Sequence, residues 1–203
     1  MNLFPGSRVI LLLVFILSIT GINSNSAYLP KMRPYTGIGV LFFNAPEMFL
    51  NEELQLLLYN EPGLSRLGAL KSSTLQSNEW VFSFREDTRP LIVAARKGEW
   101  LEIFYDDAGR KAWVNPERAG RFMLWEEFLK RHTCRMLPGL QPSFYQMQSQ
   151  PEGRPLSTIT PKQVFKVIRV EGDWSMVLTE KSEIGWLKWR DADGRITMGT
   201  GKL

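Results

Sequence analysis

A three-residue signature occurs twice in this chain, and each time a second tryptophan follows at nearly the same distance. Gly98-Glu99-Trp100 precedes Ala112-Trp113-Val114, thirteen residues from tryptophan to tryptophan. Gly172-Asp173-Trp174 precedes Gly185-Trp186-Leu187, at a spacing of twelve. Self-similarity of this kind indicates a duplicated small module, and it limits the fold more than any bulk property does. A glycine ahead of the indole permits the tight turn that joins two strands. The indole then covers the end of a module too small to bury much surface by other means.

The segments around each signature read as short strands. Gly37 to Phe43 is a bounded apolar run, suited to a buried strand. Trp80 to Phe84, Leu91 to Ala95, Leu101 to Tyr105 and Lys111 to Asn115 are aromatic or β-branched, and Asp106-Asp107-Ala108-Gly109 is a turn between the last two. The second copy offers Val164 to Ile168, Trp174 to Leu178 and Ile184 to Trp189, then a last strand Arg195 to Met198, with a frayed end from Gly199. Trp100 and Trp174, entering central strands, read as core. Between the copies, Phe122, Trp125, Phe128, Leu129 and His132 share one face at helical spacing, and Glu126–Lys130 and Glu127–Arg131 are i,i+4 pairs. That pattern predicts an amphipathic helix over Phe122 to His132. Pro46 to Glu53 reads as a helical turn.

The start of the chain is a leader. Arg8 is the only charge before the apolar stretch Val9 to Ile22, and small residues follow at Ser24, Ser26 and Ala27. The stretch is shorter than the ~20 residues of a spanning helix, so residues 1–27 read as a signal peptide with a helical apolar core. The expected location is periplasmic or secreted. The net charge of +4 is spread among interspersed charges of both signs, which argues against a nucleic-acid partner.

Chemistry-bearing residues are sparse. Cys134 is the only cysteine, so no intramolecular disulfide forms, and it reads as a small buried hydrophobe in a linker. Its neighbour His132 points elsewhere on a helix end, which leaves no nucleophile–base pair. One histidine and one cysteine do not make a structural zinc site, and no glycine-rich phosphate loop follows a strand. Neither an enzyme nor a cofactor is expected. Tyr59, Trp113, Tyr145 and Trp186 are the candidate ligand-binding residues, because tyrosine and tryptophan anchor interfaces and line peptide grooves in small barrels.

The order of parts resembles the bacterial SH3-like domain family, in which a Tyr-containing first strand and a Pro-rich loop precede Gly-x-Trp and then Gly-Trp-Val. The first copy supplies Leu58-Tyr59, Pro62-Gly63, Leu91-Ile92-Val93, Gly98-Glu99-Trp100 and Ala112-Trp113-Val114. The second supplies Phe144-Tyr145, Pro151-Glu152-Gly153, Phe165-Lys166-Val167, Gly172-Asp173-Trp174 and Gly185-Trp186-Leu187. The first copy departs at Ala112 and carries an insertion over 71–87. The resemblance implies a mainly β protein: a first SH3-like barrel over 37–120, a linker helix within 121–137 and a second barrel over 138–203. It further implies a non-catalytic cell-envelope protein that binds peptide or peptidoglycan. The alternative is a structural or assembly subunit of an envelope complex with a protein partner. Contact with a membrane is expected only through an uncleaved leader.

Overall fold

Each glycine of the repeated signature takes the first loop position of a two-residue hairpin. Lys97 pairs with Trp100 and Glu171 with Trp174, so Gly98-Glu99 and Gly172-Asp173 are the whole loops. Both glycines have positive φ, 59° and 55°. Hairpin loops of this length require such a conformation, and residues with a Cβ resist it.

The computed structural model describes residues 32–44, 55–71, 80–82, 88–106, 108–116 and 120–200. Around the hairpins it builds two seven-stranded antiparallel sheets. The first holds β1 (Gly39–Asn44), β2 (Gln55–Glu61), β3 (Leu64–Lys71), β4 (Thr88–Lys97), β5 (Trp100–Phe104), β6 (Lys111–Val114) and β7 (Gly120–Leu124). The second holds β8 (Thr133–Met136), β9 (Gln146–Gln148), β10 (Pro155–Thr158), β11 (Val164–Glu171), β12 (Trp174–Thr179), β13 (Ile184–Lys188) and β14 (Met198–Thr200). The strand orders are β3-β2-β6-β5-β4-β1-β7 and β10-β9-β13-β12-β11-β8-β14. Every strand of one sheet therefore has a counterpart at the same place in the other.

The correspondence extends to register. The β4–β5 ladder slips between Val93 and Ala95, and the β11–β12 ladder slips between Val167 and Arg169. Each slip leaves out the residue four before its glycine, Ala94 or Ile168, a bulge in the same place. Beyond it Glu102 faces Trp113 and Met176 faces Trp186. The extra residue in the longer tryptophan spacing falls in the loop Tyr105 to Arg110, between the Phe104–Lys111 and Leu178–Ile184 closing pairs of the two copies. The β2–β3 and β9–β10 ladders also slip alike, leaving Leu67 and Leu156 in matching bulges, both exposed.

Residues of the first sheet form a core of their own, with Leu41, Leu56, Leu70, Leu91, Ile103 and Val114 among its members. The other face of β1 and β4 presents Val40, Phe42 and Ile92 to a second, larger core that includes Phe128, Phe165, Val177 and Trp189. Leu41 pairs with Leu91 and Phe122, while Cys134 pairs with Phe165 and Thr200. Cys134 thus holds, in the second sheet, the core position that Leu41 holds in the first. It is fully buried on β8 rather than set in a linker.

The helix is shorter than its periodicity suggests. α1 covers Trp125–Arg131 and buries Trp125, Phe128 and Leu129. Phe122 to Leu124 belong to β7 instead, held by β1, whose Val40 and Leu41 lie opposite Met123 and Phe122. A ready ladder partner overrides the local helical pattern. The end of the chain also differs from expectation, since Gly199 and Thr200 are paired in β14 rather than frayed. Leu64 to Lys71, which the sequence reading left without a strand, forms β3 through an antiparallel hairpin at Pro62-Gly63.

Two stretches of the first half cross onto the second. Residues 32–36 run beside the 190–196 turn: the Thr36 N–H donates to the Gly194 carbonyl, the Ile196 N–H donates to the Pro34 carbonyl, and Arg33 binds Asp191 at 2.5 Å. The Trp125 indole N–H donates to the Thr36 carbonyl at 2.5 Å. Phe82 forms a parallel bridge to Thr200, and the Thr200 N–H donates to the Val81 carbonyl at 2.9 Å. Residues 32–203 consequently form one unit. The leader over residues 1–27, the helical turn expected at Pro46 to Glu53 and most of the 71–87 insertion lie outside the described residues. Among the described residues no helix is long and apolar enough to cross a membrane.

Candidate functional site

Alternation along β2, β5 and β6 turns one face of the first sheet inward and the other outward. The outward face carries Tyr59, Trp100, Glu102 and Trp113, all partly exposed. Tyr59 lies directly across the ladder from Trp113 and meets the edge of Trp100 at 5.3 Å between ring centroids. Glu102, opposite Trp113, pairs with Lys111 at 3.6 Å. The structure thus brings two of the four candidate residues together and adds Trp100, which the sequence reading assigned to the core.

The other two candidates are placed differently. Trp186 is 7% exposed and its neighbour Trp174 is 8% exposed. The Lys188 ammonium lies over the Trp174 ring at 5.0 Å. Tyr145 ends a 3-10 turn (Pro142–Tyr145); its hydroxyl donates to the Leu137 carbonyl at 2.8 Å and accepts from the Leu140 N–H. In the second copy the ladder position opposite Trp186 belongs to Gln148. Tyr145 therefore lies three residues before the position that Tyr59 holds in the first copy, outside β9 and tied down by its own hydrogen bonds.

A second feature was not legible in the sequence. Where residues 32–36 cross to the second half, a cavity of about 290 Å³ opens, lined by Met32, Pro34, Ile92, Tyr105, Ala108 and Arg195 among others. Its ridge is Tyr35, 44% exposed and stacked on Phe104 with centroids 6.2 Å apart. A shallower space of about 480 Å³ adjoins the other side of that ridge, by Lys111 and Arg190. None of the four candidate aromatics lines either space.

The charges of this cleft are fixed by hydrogen bonds. Burial alone would raise the Asp191 carboxyl, but the Arg195 N–H, the Arg33 guanidinium and the Asp193 N–H together hold it below the ordinary carboxylate range. Asp106 behaves likewise through Arg110 and the Ala108 N–H. The Arg195 guanidinium lies 4.1 Å over the Tyr35 ring, donates to the Tyr35 hydroxyl at 2.9 Å and donates to the Arg33 carbonyl at 2.6 Å. No carboxylate lies within ion-pair distance of it among the described residues.

The thiol and imidazole do not form a reactive pair. Cys134 Sγ donates weakly to the Leu129 and His132 carbonyls, and burial pushes its pKa up to about 12. At neutral pH that thiol is protonated, whereas a nucleophile requires the thiolate. His132 Nδ1 donates to the Phe128 carbonyl at 2.7 Å, with its ring packed on Phe128 at 4.6 Å. Compared with known proteins, the chain matches no family model and no curated protein.

Proposed function

We propose that this chain is a non-catalytic binding protein of the bacterial cell envelope, periplasmic or secreted. In this reading each sheet curls into an SH3-like barrel, and the first copy holds an extended peptide or the peptide part of peptidoglycan on its outward aromatic face. The half-exposed Tyr59–Trp113 pair, flanked by Trp100, carries the reading. Rings held rigidly by a sheet present large contact area at little cost in conformational entropy, and aromatic grooves of this type accept extended chains. The curl is supported by the first core, whose buried residues come from the strands of that sheet alone. A flat sheet would leave that face open to solvent, at about 25 cal/mol per Å² of apolar area.

The test is retention on isolated peptidoglycan sacculi. Wild-type protein is expected to sediment with sacculi, and Tyr59→Ala or Trp113→Ala to lower the retained fraction about tenfold, the loss of one anchoring ring. Tyr145→Ala is expected to destabilise the protein through its Leu137 and Leu140 hydrogen bonds without a selective effect on retention. Retention of wild type no greater than that of an unrelated protein would overturn the proposal. The second reading, an assembly subunit, is favoured by the β3 edge strand, where Leu64 and Leu67 are exposed. Long unprotected edges invite pairing with another chain. A stable heteromeric partner without affinity for sacculi would select it.

A further inference from the structure

The cleft beneath residues 32–36 has the chemistry of a second binding site. Arg195 is preorganised there: the Tyr35 ring and two hydrogen bonds fix its plane, and no carboxylate neutralises it among the described residues. The surrounding cations are already occupied, Arg33 by Asp191, Arg110 by Asp106 and Arg190 by Asp173. Met32, Pro34, Ile92, Phe104 and Tyr105 give apolar or aromatic wall beside Arg195, and the other charged side chains in the lining, Arg33 and Asp106, are each already paired. One fixed guanidinium beside an apolar hollow suits a ligand with one negative charge next to an apolar group. A planar guanidinium matches a carboxylate in particular, through paired N–H donors.

We infer that this cleft binds the carboxylate end of a short peptide, with the carboxylate on Arg195 and the last apolar side chain against Met32, Pro34 and Tyr105. The volume of about 290 Å³ sits at the lower limit of ligand pockets and admits a chain end rather than a folded partner. A phosphate dianion is the poorer match, since its second charge and third oxygen would find no further uncommitted cation. The inference does not depend on the aromatic face of the first sheet, which shares no residue with the cleft, although β5 carries Trp100 on the one and Phe104 on the other.

The test is calorimetric titration of the full 203-residue chain with acetyl-Leu-Ala, with its C-terminal amide and with inorganic phosphate. The free acid is expected to bind at least about tenfold more tightly than the amide, as a charge-assisted pair demands. Arg195→Gln is expected to remove that preference. Because Arg195 also ties down residues 32–36, Ala108→Trp provides a second variant: an exposed loop residue is enlarged to fill the cavity, and binding of acid and amide is lost together while the unfolding midpoint stays within a degree or two. Equal affinity for acid and amide, phosphate binding as tight as the acid, or no binding by folded wild-type protein would each overturn the inference. Retention on sacculi by the same Ala108→Trp protein shows separately whether the aromatic face still works.

Discussion

The two sheets share strand order, hairpin and bulge, yet they treat the same two indoles in opposite ways. Trp100 and Trp113 are partly exposed, whereas Trp174 and Trp186 are nearly sealed. Opposite Trp113 stand Tyr59 and Glu102; opposite Trp186 stand Gln148 and Met176. The backbone frame is set by features with little tolerance: a positive-φ glycine, a two-residue loop and a bulge four residues upstream. The outward side chains answer to no such constraint. A duplicated frame can therefore keep one copy as structural support while the other presents a surface.

The inward positions give the strongest way to break this equivalence. Leu41 and Cys134 occupy the same place in the two ladders, so both must behave as core. Leu41→Ala is expected to cost about 3 kcal/mol. Cys134→Ala is expected to cost about 1 kcal/mol, for one buried heavy atom. Urea-unfolding midpoints measure both, and a Leu41→Ala change of less than about 1 kcal/mol would mean that the first sheet does not hold a packed core.

A smaller effect, of opposite sign, sharpens the comparison at the next residue. Arg135 corresponds to Phe42 and is buried, with Nη2 on the Trp80 carbonyl and Nε and Nη1 without partners. Burial lowers its pKa. Replacing a poorly compensated buried charge with an apolar side chain of similar length is often stabilising. Arg135→Met is expected to raise stability by about 1 kcal/mol in the same unfolding assay, and a marked loss would show that the guanidinium is better solvated than its burial indicates.

The smallest expected effect concerns Asp191, whose tie to Arg33 joins the second half to the first. Its folded pKa lies below the ordinary value of about 3.9. The stability it contributes is thus fully present above that ordinary value and is lost as pH falls through the lower folded one. Asp191→Asn should flatten the acid limb of the stability–pH curve in that window and leave its shape at neutral pH alone. An unchanged acid limb, followed by thermal denaturation from pH 5 downward, would show that the Arg33 tie is not formed.

The repeated signature made much of the β framework readable, because glycine at a hairpin and tryptophan after it are locally determined. The helix boundary was not readable: Phe122 fits a helical face and a strand equally, and only β1, some eighty residues earlier, decides between them. Trp100 was misjudged for a related reason, since central-strand position says nothing about whether a covering layer exists. The cleft was invisible because Tyr35, Phe104 and Arg195 come from three distant segments, and no spacing rule joins residues 160 positions apart. Cys134 shows the converse: its core role was legible from composition, but its location was not, because the strand that holds it is only four residues long.

The crossing of residues 32–36 and 80–82 onto the 190–200 segment has a consequence for the order in which contacts close. Residues 33–36 find hydrogen-bond partners some 160 positions further along the chain. Contacts of such sequence separation close late in folding, because the loop-closure entropy is spent before they reward it. Loss of the 190–200 segment would remove the partners of Thr36 and Val81 together.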